Sequence, residues 1–192
     1  MSTEDKYPNW FAVTAQHNFE KHLRSLAGRE NLRFLQLGVF TGDASVWLCE
    51  NILTGKNCEL QDIDTWKGSD EEIHTQIDFQ EVRQYYYSRT KGMPILPATK
   101  TTTDHLMAIR KYYRYDFIYV DADHTTVGVL LDAELAWPLL KSGGIMAFDD
   151  YNWGNALPLH LRPKPGIDLF LLRHDGEYEL LEKNEQVWIR KS

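Results

Sequence analysis

The chain is poor in the features that would direct it to a membrane, a secretory route or a nucleic-acid backbone. Only Cys49 and Cys58 occur in 192 residues, and they form no spacing framework. That excludes a disulfide scaffold and fits a reducing compartment. No apolar run approaches the roughly 20 residues needed to span a bilayer. The N-terminal MSTEDKYPNW is polar and acidic, unlike a signal peptide. Basic residues are in deficit: 21 Lys and Arg against 28 Asp and Glu leave a net charge of −7. A protein of that charge is a poor match for phosphate backbones or anionic lipid. Repeats and low-complexity tracts are also missing. Together these absences lead to the expectation of a soluble, cytoplasmic protein with no membrane and no nucleic-acid partner.

What remains is ordinary globular material, 43% hydrophobic and 26% charged. Its length suits one domain over residues 1–192, with residues 1–14 as an extension able to cap an acceptor. Periodicity gives the elements. Phe19, Leu23 and Leu26 lie on one helical face that stops at Gly28. Phe34 to Leu37 read as a short buried strand, with Asp43 as cap of the helix ASVWLCENIL. A second strand runs from Cys58 to Ile63. Ser69 and Glu72 form a capping-box pattern for a helix reaching about Tyr87. A third strand covers Ile95 to Thr99, and a helix covers Asp104 to Tyr113. Phe117 to Val120 is the clearest strand, followed by a helix from about Thr125 to Leu140 and a strand from Ile145 to Phe148. A Pro/Gly-rich loop, a short helix and the strands Tyr178 to Leu181 and Gln186 to Arg190 close the chain, the last two as an antiparallel hairpin.

Strands alternating with helices predict a parallel sheet covered on both faces, an α/β doubly wound architecture. Ligands of such sheets bind beyond the carboxyl ends of the strands. Carboxylates collect along that edge: Asp62 and Asp64 after the second strand, Asp121 after the fourth, Asp149 and Asp150 after the fifth. The turn after the first strand carries Gly38 and Gly42, suited to close approach of backbone to a ligand. Their spacing matches neither the dinucleotide fingerprint nor the phosphate-binding loop. A nicotinamide-dependent oxidoreductase is therefore disfavoured.

FLQLGVFTGDAS, DIDTW, YDFIYVDADH and LLKSGGIMAFDDY, in this order and spacing, resemble the class I S-adenosylmethionine-dependent methyltransferases. The nearer resemblance is to small O-methyltransferases like the catechol and macrocin-type sugar enzymes. It covers roughly residues 15–191. It implies a seven-stranded Rossmann-like sheet with an antiparallel C-terminal strand pair. It also implies methyl transfer to a hydroxyl of a small-molecule or sugar acceptor, with S-adenosylmethionine as cofactor. Cofactor contacts would fall to Gln36, Gly38, Gly42, Asp43, Asp64, Trp66 and Asp121, with Asp64 favoured over Asp62 for the ribose and Trp66 over the adenine. Gln36 departs from the family, which usually has an acid there and so balances the cofactor's positive charge.

Three acids from adjacent strand ends repel one another unless a cation lies between them. The resemblance implies Asp121, Asp149 and Asp150 as ligands of Mg²⁺ or another divalent cation, with Asp121 and His124 as the catalytic residues. A histidine's unperturbed pKa of about 6.5 suits a general base. The other histidines, His17, His22, His74, His105, His160 and His174, read as surface residues. Trp47, Trp137 and Leu140 read as core. Trp10, Phe11, Trp153, His160 and Arg162 are candidates for an acceptor cleft, and would serve equally as packing or a homodimer contact. A metal-independent N- or O-methyltransferase and a non-catalytic cofactor-binding subunit are the alternatives.

Overall fold

The computed structural model describes residues 7–68, 77–109 and 114–192. Seven strands form one sheet in the order β3-β2-β1-β4-β5-β7-β6. They are β1 (Arg33–Leu37), β2 (Glu59–Asp64), β3 (Ile95–Thr99), β4 (Tyr115–Val120), β5 (Leu140–Phe148), β6 (Tyr178–Lys183) and β7 (Val187–Lys191). The first five pair in parallel, and β7 lies antiparallel between β5 and β6. The helices are α1 (Gln16–Leu23), α2 (Asp43–Asn51), α3 (Phe79–Thr90), α4 (Thr102–Ala108), α5 (Thr126–Ala136) and α6 (Lys164–Arg173). A π-turn, Phe11–Ala15, leads into α1.

Side chains alternate across a strand, and the two faces of the sheet follow from that. Phe34, Phe117, Tyr119 and Trp188 pack with Phe19 of α1 and Leu48 of α2 on one face. Leu35, Leu37, Ile118 and Val120 pack with Val129 of α5 and Phe170 of α6 on the other. A third, smaller cluster of Val39, Trp66, Val82 and Tyr86 sits beside the glycine turn. Trp137 and Leu140 are buried, and Trp47 packs partly buried against the first face.

The element order agrees with the sequence pattern, and the ends differ in instructive ways. Asp43 does not cap α2. Gly42, in the left-handed region at φ 82°, is the N-cap, and Asp43 is the first helical residue. The Ser69/Glu72 capping box lies outside the described residues. The described helix α3 is capped instead by Asp78, whose side chain accepts from the Gln80 and Glu81 amides. The glycines at 143 and 144 lie within β5 rather than ahead of it. No helix among the described residues is long and apolar enough to cross a membrane.

Candidate active site

Three ladder bonds at the strand ends bring the following loops to one edge. The Gly38 amide donates to the Ile63 carbonyl at 2.9 Å, Asp121 to Leu37 at 2.8 Å and Asp149 to Val120 at 3.0 Å. The turns after β1, β2, β4 and β5 are thereby aligned, as the ligand rule for open α/β sheets requires.

At the β1–β2 end the polar groups serve one another. Gly38 has φ 82°, and an added Cβ would lie 1.8 Å from the Asp121 carbonyl oxygen. The residue is glycine because the β4 turn crosses directly over it. At Gly42 a Cβ would meet the Tyr86 ring at 2.6 Å. Gln36 is 2% exposed. Its amide donates to the Gly38 carbonyl at 3.0 Å while its oxygen accepts from Ser45 Oγ at 3.3 Å. A carboxylate could not donate to that carbonyl, so the amide has a structural reason to stand where the family usually carries an acid.

Asp64 Oδ2 accepts from the Val39 and Phe40 amides at 2.8 and 3.0 Å, and Oδ1 from the Trp66 amide at 2.7 Å. Three of the carboxylate's roughly four acceptor positions are thus filled, leaving room for a ribose hydroxyl. Asp62 is fully buried and its Oδ2 accepts from Tyr86 Oη at 2.8 Å, so it presents nothing to a ligand. Desolvation, followed by the neighbouring Asp64 charge, pushes its pKa up to about 7.

Trp66 does not offer a face to an adenine in this structure. The indole is 1% exposed, lies against Tyr86 with ring centres 5.0 Å apart, and donates to the Phe40 carbonyl at 3.1 Å. Asp43 is engaged by Arg89 at 2.5 Å and by Thr41 Oγ1 at 2.7 Å. It lines a separate cavity of about 420 Å³ with Tyr7, Asn9 and Tyr85.

The β4–β5 end is different. Asp121, His124 and Asp150 each turn one ligand-capable atom into a common space, and these atoms lie within 4.8 Å of one another. His124 Nε2 is 3.1 Å from Asp150 Oδ2 and 3.7 Å from Asp121 Oδ1. Trp153 packs on the His124 ring with centres 5.0 Å apart, so the acceptor-cleft candidate from the loop after β5 reaches the cluster. Asp121 keeps 29% of its side chain exposed. Even so, desolvation and then the Asp149 and Asp150 charges hold its carboxyl well above the usual range, against an opposing pull from His124. Asp149 stands on the same edge but turns inward, to Tyr119 Oη and Gln186 Nε2.

The remaining aromatic candidates lie elsewhere. Trp10 stacks on Phe40 of the glycine turn at 5.0 Å, and Phe11 packs into Phe19 and Trp47. Arg162 donates to the Asn155 carbonyl, and His160 is exposed. The surface expectation also fits His17. His74 lies outside the described residues. The surface expectation fails for His105, a buried residue of α4, and for His22 and His174, half-buried against Trp188 and Phe170. Gln186 and Tyr119 were not legible as site residues. A glutamine in a polar turn and a tyrosine within an apolar strand carry no distinguishing pattern.

A parallel sheet with an antiparallel last pair, a glycine turn braced by an acid, and acids converging after β4 and β5 define a class I S-adenosylmethionine-dependent methyltransferase. The family model described as a methyltransferase domain matches residues 35–151, well over half of the chain, and the chain belongs to that family. No curated protein sequence matches it. Among solved structures it is similar to an O-methyltransferase from Bacillus cereus, in complex with SAH. The identity there is 17%, covering 99% of this chain and 84% of that one, with a TM-score of 0.62. It is also similar to the MycE methyltransferase of the mycinamycin biosynthetic pathway, in complex with Mg, SAH and mycinamycin VI. That match has 15% identity and a TM-score of 0.63, covering 97% of this chain but only 51% of MycE. An rRNA methylase from Streptococcus thermophilus matches with 12% identity and a TM-score of 0.63, covering 92% of this chain and 95% of that one. At such identities the likeness is one of fold.

Proposed function

We propose that this methyltransferase methylates a hydroxyl oxygen of a small molecule or sugar in the cytoplasm, assisted by a divalent cation. The observation that carries this reading is the convergence of Asp121, His124 and Asp150 beyond β4 and β5. The two carboxylates offer the oxygen ligands that Mg²⁺ or Mn²⁺ takes, hard ions that retain waters an acceptor's oxygens replace, and the imidazole beside them is left for the proton. Desolvation first, and then the Asp149 and Asp150 charges, raise the Asp121 pKa, and a cation would offset the charge part of that cost. MycE, of the same fold, was solved in complex with Mg, SAH and mycinamycin VI, which supports the analogy. The net charge of −7 favours a small acceptor over RNA.

Asp121 and Asp150 would hold the cation, which lowers the pKa of a bound hydroxyl. His124, between them, takes the hydroxyl proton on Nε2. Bound S-adenosylmethionine would supply the methyl group from its sulfonium, the acceptor oxygen gaining the O–C bond as the S–C bond is lost and the sulfur becomes a neutral thioether. Asp64 retains one acceptor position for the ribose, and Gly38 to Gly42 provide the turn that faces the amino-acid part. The test is turnover of hydroxylated acceptors with S-adenosylmethionine, with and without EDTA. Full turnover in EDTA would leave a metal-independent methyltransferase.

A further inference from the structure

We infer that Asp149 is a positioning residue, clamped by Tyr119 and Gln186, which fixes the Asp150 backbone and so aims the Asp150 carboxylate at Asp121 and His124. The inference rests on the cation-assisted reading above.

Asp149 has both carboxylate oxygens committed inside the protein. Tyr119, 1% exposed on β4, donates its hydroxyl to Oδ2. Gln186, fully buried in the turn just before β7, donates Nε2 to Oδ1 at 3.0 Å. The Asp150 amide donates to the same Oδ1 at 2.9 Å.

The orientation of the Gln186 amide follows from its other neighbours. Its Oε1 accepts from Asn18 Nδ2 at 2.9 Å and from Trp188 Nε1 at 2.9 Å. Flipping the amide would turn its NH₂ toward two donors and its oxygen toward a carboxylate, losing every bond. Asn18 is itself fully buried on α1 and also reaches Asn184 Oδ1 at 3.2 Å. The clamp therefore extends from α1 through the β6–β7 turn to the end of β5.

Asp150 needs such a clamp. Its φ of 55° is in the left-handed region, which a non-glycine residue enters at a cost of about 1 kcal/mol or more. Conformations of this kind persist where surroundings over-determine them. The next residues are tied to the same turn: the Tyr151 amide donates to the Glu185 carbonyl at 2.9 Å, and Asn152 Nδ2 to the Asn184 carbonyl at 3.1 Å. With its backbone so fixed, Asp150 Oδ2 lies 3.1 Å from His124 Nε2.

A strut and a ligand respond oppositely to one conservative change. In Asp149→Asn the side-chain oxygen still accepts from Gln186 and Asp150, and the new NH₂ donates to Tyr119. The shape survives while the charge is lost. The test is a Mn²⁺ titration of the full chain, read by electron paramagnetic resonance without cofactor or acceptor. Asp149→Asn should stay within about threefold of the parent, while Asp149→Ala and Gln186→Leu should weaken Mn²⁺ roughly tenfold or more. Asp150→Asn should lose measurable binding. Tyr119→Phe, which removes one donor, replaces Gln186→Leu if that variant does not fold.

An Asp149→Asn loss as large as that of Asp150→Asn would make Asp149 a ligand and overturn the strut, leaving the cation reading intact. A parent that binds no Mn²⁺ would sink the cation reading instead. Hydrogen exchange of the metal-free protein then decides the strut by itself. The Asp150 amide should exchange roughly tenfold faster or more in Asp149→Ala and Gln186→Leu, and at the parent's rate in Asp149→Asn. Unchanged exchange in all three would overturn the clamp whatever the metal result.

Discussion

The two halves of the sheet's carboxyl edge are built on opposite principles. At the β1–β2 end, Gln36, Asp64, Trp66 and Asp43 are bound to neighbours within the protein, and the glycines are fixed by backbone and ring contacts. At the β4–β5 end, Asp121, Asp150 and His124 face one another across a shared space, and like charges are left close together. The first half is a rigid cradle whose residues act mostly by holding the turn in shape. The second leaves like charges close together, where the proposed reaction would use them. Substitutions should therefore reduce stability and cofactor affinity in the first half, and turnover in the second.

The largest effect expected is on turnover. His124→Ala should lower the rate by about 10²–10⁴, the usual worth of a positioned general base, with S-adenosylhomocysteine affinity nearly unchanged. EDTA should lower turnover as well, with recovery on adding Mg²⁺ or Mn²⁺. Calorimetry beside a turnover assay separates the two quantities. Equal loss of both in His124→Ala would erase the contrast between the halves.

Next comes Gly38→Ala. Its Cβ would meet the backbone of Asp121, which has nowhere to move, at 1.8 Å. A loss above about 4 kcal/mol is expected, in the range of exceptional substitutions. Gly42→Ala should be milder, about 1–2 kcal/mol from the backbone together with displacement of the Tyr86 ring. Urea denaturation ranks them, and the reverse order would contradict the account of the turn.

Asp64→Ala removes the acceptor of three backbone amides and of the proposed ribose contact. A loss of about 1.5–3 kcal/mol in S-adenosylhomocysteine affinity is expected, as for hydrogen bonds to a charged group. The thermal midpoint should fall in the same variant because the turn loosens. A variant that keeps both values would remove Asp64 from the cradle.

The smallest effect is a pH dependence of stability. Asp62 and Asp132 are raised from 3.8 to about 7, chiefly by desolvation. The folded state thus binds these protons more tightly than the unfolded chain. Their contribution is fully present below 3.8 and is lost as pH rises toward 7. Asp62→Asn, which keeps an acceptor for Tyr86, should gain stability over the parent at alkaline pH and little near pH 4. Urea midpoints at the two pH values check this; a gain confined to acid pH would reverse the sign.

Some of this was determined by the sequence alone. Alternating apolar residues such as Phe34 and Leu35, or Phe117 and Ile118, can be buried on both sides only in a sheet covered on two faces. Gly38, Asp64, Asp121 and Asp150 stand at or within two residues of the ends of such strands, so their presence at one edge follows from strand direction. Tertiary structure decided what each of them does there. Gly38 is required by the crossing of the β4 turn, which lies 83 positions further along the chain at Asp121. Trp66 turned inward because Tyr86, on a helix that sequence spacing does not orient, supplies its packing surface. Asp149 and Asp150 are neighbours of the same chemistry, and nothing in the dipeptide tells them apart. Gln186 and Tyr119, brought in from the β6–β7 turn and β4, draw one carboxylate inward, and the other is left to face His124. A residue's type and its place on a strand are local properties, whereas the partners that fix its direction arrive from distant parts of the chain.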